Sequence, residues 1–298
     1  QQFIGKDNSM KISVFTEHLF EAADQEKITF EKALDEAAQS DIKGVELDFA
    51  RLEKDDALPC TIRKHGLDIA CVYVFLDFSH SEDMSYALKV VDTLKRHNIK
   101  RLMAIPGFVY DGDDAAICTE RMYKCMNRLS EICSEKGIDL CLEDFDDKTA
   151  VFSTTEGLLG FMENVTGLGC AFDTGNFIYS CENALDAFEK LKEKITHLHC
   201  KDRSYTPKTG EEPKISLDNT ALYSSPVGYG EMPIKKIVKK LLKNGYSGYF
   251  AIEHFGSQNQ ISDIAGKSLD VSVGMETMDN ADGAGKRTDY NFQFAKRF

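Results

Sequence analysis

The stretch ITHLHCKD, residues 195–202, joins a short apolar run to a row of polar side chains. In a β-strand, residues two positions apart point to the same face. His197, His199 and Lys201 therefore share one face of this predicted strand. Because a buried strand rarely carries three polar groups on one face, this face is predicted to look into a functional site.

The same kind of short apolar run recurs along the chain and alternates with amphipathic segments. One such segment, residues 118–137, has apolar residues at helical spacing and ends at Gly137, a typical helix C-terminus. Eight strands that alternate with helices predict a single-domain α/β fold, a (β/α)8 TIM barrel. An open doubly wound sheet is the alternative, but TEHLFEA after strand 1 lacks its glycine-rich turn. The predicted strands lie at residues 11–17, 44–49, 67–76, 100–108, 138–145, 168–176, 195–202 and 248–255.

Composition excludes several classes of protein. The net charge of −13 disfavours a nucleic-acid partner, and no run approaches the roughly 18 apolar residues of a membrane span. Nine cysteines without a CxxC pair are typical of a reduced, cytoplasmic protein. This charge permits a small polar substrate or a divalent cation, and we expect no membrane or nucleic-acid partner. The sequence is compatible with a homo-oligomer and does not determine the oligomeric state.

The domain boundaries follow from where the pattern holds. Residues 1–9 precede the first periodic run and are interpreted as an N-terminal extension or an expression remnant. The barrel is predicted to span residues 10–273. Residues 274–298 have no clear period. They are interpreted as a disordered C-terminal tail, as an expression remnant, or as a segment that binds a partner. Residues 203–232, a long gap after strand 7, are predicted to cover the substrate, with a passive excursion as the alternative.

Four consecutive strands in the second half of the chain each end with a possible metal ligand: Glu143, Asp173, His199 and Glu253. In a closed barrel these strand ends are neighbours on one rim. Three carboxylates buried together repel one another, and a divalent cation removes that conflict. Mixed oxygen and nitrogen ligands favour Mn²⁺ or Co²⁺, with Mg²⁺ and Zn²⁺ as alternatives. Separate helix caps or rim ion pairs are the other explanation.

The four residues lie within motifs that occur in the order and spacing of a known family: LEDFD, FDTGNF, HLHCKD, PVGYGE and IEHFG. The chain resembles the xylose-isomerase-like barrels, a group of sugar phosphate isomerases and epimerases, over about residues 10–273. The resemblance implies that the same four residues hold the metal and that Lys201 lies near substrate oxygens. The chain departs from the family at Asp144-Phe145, where many relatives have Asn-His, and at Asn176, where several ketose epimerases have His.

The predicted function is a divalent-metal-dependent isomerase or epimerase of a sugar or sugar phosphate. The cation acts as a Lewis acid beside a carbonyl, and Glu143 and Glu253 are the predicted catalytic residues that move the proton through an enediolate. One alternative is a lyase of the same fold, an inosose dehydratase or a C-glycoside-cleaving subunit. A non-enzymatic carbohydrate-binding barrel is a second. An endonuclease IV-like phosphodiesterase is disfavoured because the strand ends carry few histidines.

Other side chains near the predicted rim are candidate substrate contacts. Lys201, Asn176, Arg203, Glu46 and His18 are the predicted substrate-binding residues. A salt bridge to Asp202 or to the following loop is the alternative for Lys201 and Arg203. His197 is interpreted as a hydrogen-bonded layer residue and His254 as facing the helices or the rim. Phe15, Phe75 and Phe108 are interpreted as core residues that also suit an apolar pocket wall.

Overall fold

The computed structural model describes residues 10–207, 212–257 and 260, together with the backbone of 271–279 and 286–294. The predicted extension at 1–9 lies outside the described residues. The strands, in chain order, are β1 (Lys11–Phe15), β2 (Ile42–Asp48), β3 (Asp68–Phe75), β4 (Arg101–Ile105), β5 (Asp139–Glu143), β6 (Gly169–Asp173), β7 (Ile195–Ser204), β8 (Lys214–Ile215), β9 (Ala221–Ser225), β10 (Tyr249–Glu253), β11 (Val271–Asp279) and β12 (Lys286–Phe294). The α-helices are α1 (Thr16–Glu26), α2 (Phe30–Gln39), α3 (Phe49–Lys54), α4 (Leu58–Lys64), α5 (Ser85–Arg96), α6 (Ala115–Lys136), α7 (Thr155–Asn164), α8 (Ala184–Leu191) and α9 (Ile234–Lys243).

Strands β1 to β7 pair side by side in parallel, and β10 pairs with both β7 and β1. This pairing closes an eight-stranded parallel barrel, with helices between its strands. The prediction of a (β/α)8 barrel is therefore confirmed, and each of the eight predicted runs overlaps one barrel strand, although β2 begins two residues before its run and β7 ends two residues after its run. No helix of the described chain is long and apolar enough to cross a membrane.

Alternation along the strands divides the core into two parts. In β6, Cys170 and Phe172 belong to the large cluster between the barrel and its helices. Ala171 belongs instead to a small cluster inside the barrel, which also contains Phe15, Cys71, Tyr73, Met103, Cys141 and Ala251. Since Asp173 lies two residues after Ala171, it too faces the interior, at the C-terminal end of the strand.

Helix α6 begins three residues before the predicted segment 118–137 and ends where the sequence predicts. The Asp114 carboxylate caps α6 by accepting hydrogen bonds from the backbone N–H groups of Ala116 and Ile117, at 3.0 and 3.2 Å. Gly137 ends the helix in the left-handed region at φ 66°, which confirms the predicted C-terminus. A helix with both ends satisfied holds the strands on either side of it in place.

The segment between β7 and α9 contains two short strands. β9 pairs antiparallel with the end of β7, from Asp202 to Ser204, and β8 pairs antiparallel with β9. The long gap predicted after strand 7 is therefore partly a β-extension of the barrel wall. β11 and β12 form a two-stranded antiparallel sheet of their own, which begins three residues before the segment 274–298 that was interpreted as a tail.

Candidate metal centre and cavity

Four side chains meet at the C-terminal ends of β5, β6, β7 and β10. Glu143, Asp173, His199 and Glu253 each offer one ligand atom, and these atoms all lie within 4.8 Å of one another. His199 Nδ1 contacts Glu143 Oε1 and lies 3.3 Å from Glu253 Oε2. Glu143, Asp173 and Glu253 are the last residues of their strands, and His199 lies beside Asp173 in the register of β6 and β7. Barrel closure therefore brings these four positions of separate strands to one place.

Burial and repulsion between carboxylates dominate the electrostatics of the cluster. Burial raises the pKa of Glu143 and raises that of Asp173 well above its usual range, since neighbouring carboxylates add repulsion. Burial also opposes a charge on His199, but Glu143 and Glu46 outweigh it and raise the pKa of the imidazole well above its usual value. A proton on His199 thus partly balances the three acids.

A divalent cation fits this donor set. Asp173 Oδ2 and Glu253 Oε2 are buried and have no hydrogen-bond partner among the described residues. Buried carboxylate oxygens without partners are costly, and metal coordination is one of the few arrangements that satisfies them. Three carboxylates and one imidazole are ligands that Mn²⁺, Mg²⁺, Co²⁺ and Zn²⁺ accept. The four residues could therefore hold such an ion.

The predicted contact Lys201 lies directly above the cluster. Its Nζ is 2.5 Å from Glu253 Oε1 and 3.9 Å from Asp173 Oδ2. It also donates a hydrogen bond of 2.8 Å to Asn176 Oδ1, and the Asn176 amide donates to the Asp144 carbonyl oxygen. Burial would lower the pKa of Lys201, but Asp173 and Glu253 raise it above its usual value. The ammonium group is therefore charged and fixed in position.

A second polar layer lies beneath the cluster. His197 Nε2 is hydrogen-bonded to Glu46 Oε1 at 2.6 Å, and Glu46 Oε2 lies 3.4 Å from His199 Nε2. His197 Nδ1 faces Arg101 Nη1 at 3.4 Å. His197 is thus a hydrogen-bonded layer residue, as the sequence suggests. Glu46 is fully buried and outside the cavity lining, so the structure places it below the ion site and not in reach of a sugar hydroxyl.

The predicted contact His18 is also removed from the cavity. Its imidazole is fully buried, and its Nε2 accepts a 2.9 Å hydrogen bond from the His254 backbone N–H. His254 is buried beside it, and its Nε2 accepts a 3.2 Å hydrogen bond from the Val227 N–H. Burial, with the neighbouring His18, lowers the pKa of His254 to about 3. His18 therefore links α1 to the segment after β10, and His254 links that segment to the chain between β9 and α9. His18 is not placed against the cavity.

Arg203 does line the cavity, paired with a carboxylate that the sequence analysis did not select. Its Nη2 donates to Asp146 Oδ2 at 2.6 Å. Asp202 instead accepts hydrogen bonds from the backbone N–H groups of Gly228, Gly230 and Met232, at 2.8 to 3.0 Å. A Cβ on Gly230 would lie 2.3 Å from Asp202 Oδ1, so a glycine is required there.

Above the cluster is an open cavity of about 580 Å³. Its floor includes Glu143, Glu253 and Lys201, so the candidate ion site and the cavity are continuous. Phe15 and Phe75 line it, while Phe108 packs behind them against Phe75. Several lining residues were not among the predicted site residues, although the acidic run after β5 pointed to Asp146. Glu212, Pro213, Lys214 and Ser224 belong to residues 203–232, the segment predicted to cover the substrate, and Phe145 is the noted departure from the family. The lining residues without any sequence prediction are Asp48, Tyr73, Met103, Ile105, Asp146, Phe255 and Gly256.

Fold and site together define a (β/α)8 barrel with a candidate divalent-metal centre at its C-terminal mouth. A sequence model described as "Xylose isomerase-like TIM barrel" matches residues 34–275. The chain belongs to this family of barrels.

Known proteins similar to the chain include a curated enzyme and two solved structures. An inosose dehydratase of Clostridium perfringens is 26% identical over 252 residues, which cover 76% of this chain and 82% of the relative. The structure of an IolI protein with a bound zinc atom superposes with a TM-score of 0.66 at 17% identity, covering 86% of this chain and 95% of that one. A D-psicose 3-epimerase structure, determined in the presence of D-fructose, gives a TM-score of 0.61 at 18% identity, covering 86% and 89%. The two structures support the fold.

Proposed function

We propose that the protein is a divalent-metal-dependent enzyme that removes a proton from the carbon beside a carbonyl in a sugar or cyclic polyol. One observation carries the proposal: three carboxylates and an imidazole converge within 4.8 Å beneath an open cavity. A cation held by Glu143, Asp173, His199 and Glu253 supplies Lewis-acid polarisation of the carbonyl. Mn²⁺ is the proposed ion, with Mg²⁺, Co²⁺ and Zn²⁺ as alternatives.

The two glutamates differ in their partners, and that difference assigns their roles. Glu143 lines the cavity and forms no ion pair with a lysine or arginine of the described chain. Glu253 Oε1 lies 2.5 Å from the Lys201 ammonium, which stabilises its charge and weakens it as a base. We therefore assign proton abstraction to Glu143 and a weaker, secondary part in proton transfer to Glu253.

The floor of the cavity also carries hydrogen-bond donors that can bind substrate oxygens. The Lys201 ammonium donates to a substrate oxygen and stabilises negative charge that develops there. Asn176 orients the ammonium by accepting its hydrogen bond at 2.8 Å. Arg203, held by Asp146, offers further donors higher in the cavity.

One strong base on one face suits dehydration or aldose–ketose isomerisation, whereas epimerisation needs proton transfer on both faces. The ion pair between Lys201 and Glu253, at 2.5 Å, occupies the second carboxylate and therefore favours chemistry with Glu143 as the one base. Similarity to an inosose dehydratase favours the lyase. We therefore propose a dehydratase first, and an isomerase or epimerase as the second candidate because Glu143 and Glu253 approach the cluster from separate strands.

The test is a screen of inososes, ketoses and sugar phosphates in D₂O with the Mn²⁺-loaded protein. Deuterium uptake at one carbon identifies the proton that is removed. A product that has lost one water molecule relative to the substrate identifies the lyase. A product with the same molecular formula as the substrate identifies the isomerase or epimerase. Glu143→Gln is expected to bind the ion more weakly and, at saturating Mn²⁺, to lose deuterium uptake. Wild-type uptake in Glu143→Gln would contradict its role, and a protein that binds no divalent ion would end the proposal.

A further inference from the structure

One wall of the cavity is aromatic and continuous. The rings of Phe255 and Phe15 lie 5.5 Å apart, and those of Phe15 and Tyr73 lie 5.6 Å apart. Tyr73 is 6.3 Å from Phe75, which lies 5.9 Å from Phe145. All five residues line the cavity, although they come from β1, β3 and the segments that follow β5 and β10. Four separate parts of the chain thus contribute to one apolar surface.

Two rings of this wall face open space. The exposed fractions are 47% for Phe75 and 41% for Phe255, both at the cavity and both unusually high for phenylalanine. Exposed aromatic surface that lines a concave site commonly marks the place of an apolar ligand group. Because the wall adjoins the floor that holds Glu143 and Lys201, a single molecule can reach both.

The opposite side of the cavity is charged, but its cations are already paired. Arg203 binds Asp146 at 2.6 Å, Lys201 binds Glu253 at 2.5 Å, and Lys214 lies 3.8 Å from the other Asp146 oxygen. A phosphate group bound to Arg203 or Lys201 would have to displace these carboxylates. The charged side therefore suits hydroxyl and carbonyl oxygens better than a phosphate group.

We propose that the substrate carries an aryl group on its carbohydrate part, and that this group stacks on the wall of Phe15, Tyr73, Phe75, Phe145 and Phe255. The inference rests on the proposed function, since the carbohydrate end is placed at the metal cluster. A sugar alone can stack on one ring, but hydroxyls buried against several rings would lose hydrogen bonds that nothing replaces. A cavity of about 580 Å³ lies in the range of roughly 300 to 1,000 Å³ that suits ligands larger than one sugar ring.

The test compares matched ligands that differ only in the apolar group. Isothermal titration of the full-length, Mn²⁺-loaded protein with methyl and phenyl β-D-glucopyranosides, and with the galactoside, mannoside and xyloside pairs, measures the contribution of the ring. We expect at least one phenyl glycoside to bind about tenfold more tightly than its methyl partner. Phe75→Ala removes most of that preference, whereas Tyr86→Ala, a partly exposed ring outside the cavity lining, leaves it unchanged.

The result that overturns the inference is a phenyl glycoside that binds no better than its methyl partner in every pair, including the case in which neither binds. A preference that survives Phe75→Ala would also overturn it. Ion content and deuterium uptake are measured on the same preparation. Uptake without an aryl preference removes this inference alone, while an aryl preference without ion or uptake removes the proposed function alone.

Discussion

Replacement of Lys201 by methionine is expected to strengthen binding of the divalent cation while abolishing turnover. The Lys201 ammonium lies 2.5 Å from Glu253 Oε1 and 3.9 Å from Asp173 Oδ2, and both residues are proposed ligands. It therefore places a positive charge beside the ion. Methionine has a similar length and removes the charge, while Glu253 becomes free to serve the cation alone.

The magnitude follows from Coulomb's law. A divalent ion and an ammonium roughly 5 Å apart repel by about 7 kcal/mol at an effective dielectric constant of 20. If a quarter of this repulsion remains after screening and local rearrangement, removing it tightens binding about tenfold. Without the ion, the same variant leaves buried carboxylates without their ammonium partner, so its melting temperature falls. Added Mn²⁺ then raises the melting temperature more than it does in the wild-type protein.

Isothermal titration of the ion-free protein with MnCl₂ measures the affinity, and circular dichroism follows the melting. Arg203→Met is the matched control, because it removes a cation bound to Asp146 and not to the cluster. The control is expected to bind Mn²⁺ within about twofold of wild type, since its charge lies farther from the ion. A folded Lys201→Met protein that binds Mn²⁺ equally or more weakly would refute the electrostatic reasoning.

Three further changes test other parts of the structure. Asp173→Asn removes the charge of a buried carboxylate whose Oδ2 has no hydrogen-bond partner among the described residues. Titration with Mn²⁺ should therefore show an affinity at least about 100-fold lower than that of the wild-type protein. A smaller loss would argue against a ligand role for Asp173. Asp202→Asn loses two of the backbone hydrogen bonds that hold the segment before α9, and urea unfolding should show a loss of about 3 kcal/mol. The exposed Asp218→Asn is the control, and equal stability of the two variants would contradict the expectation. The buried His254 has a pKa of about 3, so it stays neutral in the folded protein at pH values where the unfolded chain takes up a proton. The free energy of unfolding of the wild-type protein therefore falls as the pH drops from about 6.5 towards 3. This group contributes up to about 1.4 kcal/mol per pH unit to that fall. His254→Gln should show a shallower pH dependence in urea unfolding, and an unchanged slope would count against it.

The sequence alone determined the fold, because the signals that specify a (β/α)8 barrel are local. A two-residue period places His197 and His199 on one face of β7, and a helical period between strands implies a parallel sheet. Closure of eight such units then brings the ends of β5, β6, β7 and β10 together. The neighbourhood of Glu143 and Glu253 could therefore be predicted without coordinates.

Depth, charge pairing and cavity shape were decided only by the tertiary structure. Periodicity shows which face a side chain occupies, but the stagger of the strands around the barrel sets how deep it lies. Glu46 consequently lies beneath the cluster, and His18 lies behind a loop, although both appear at strand ends in the sequence. The aromatic wall that includes Phe145 and Phe255 likewise arises from segments that meet only when the barrel closes. Contacts between distant segments depend on three-dimensional distances, and no local pattern encodes those distances.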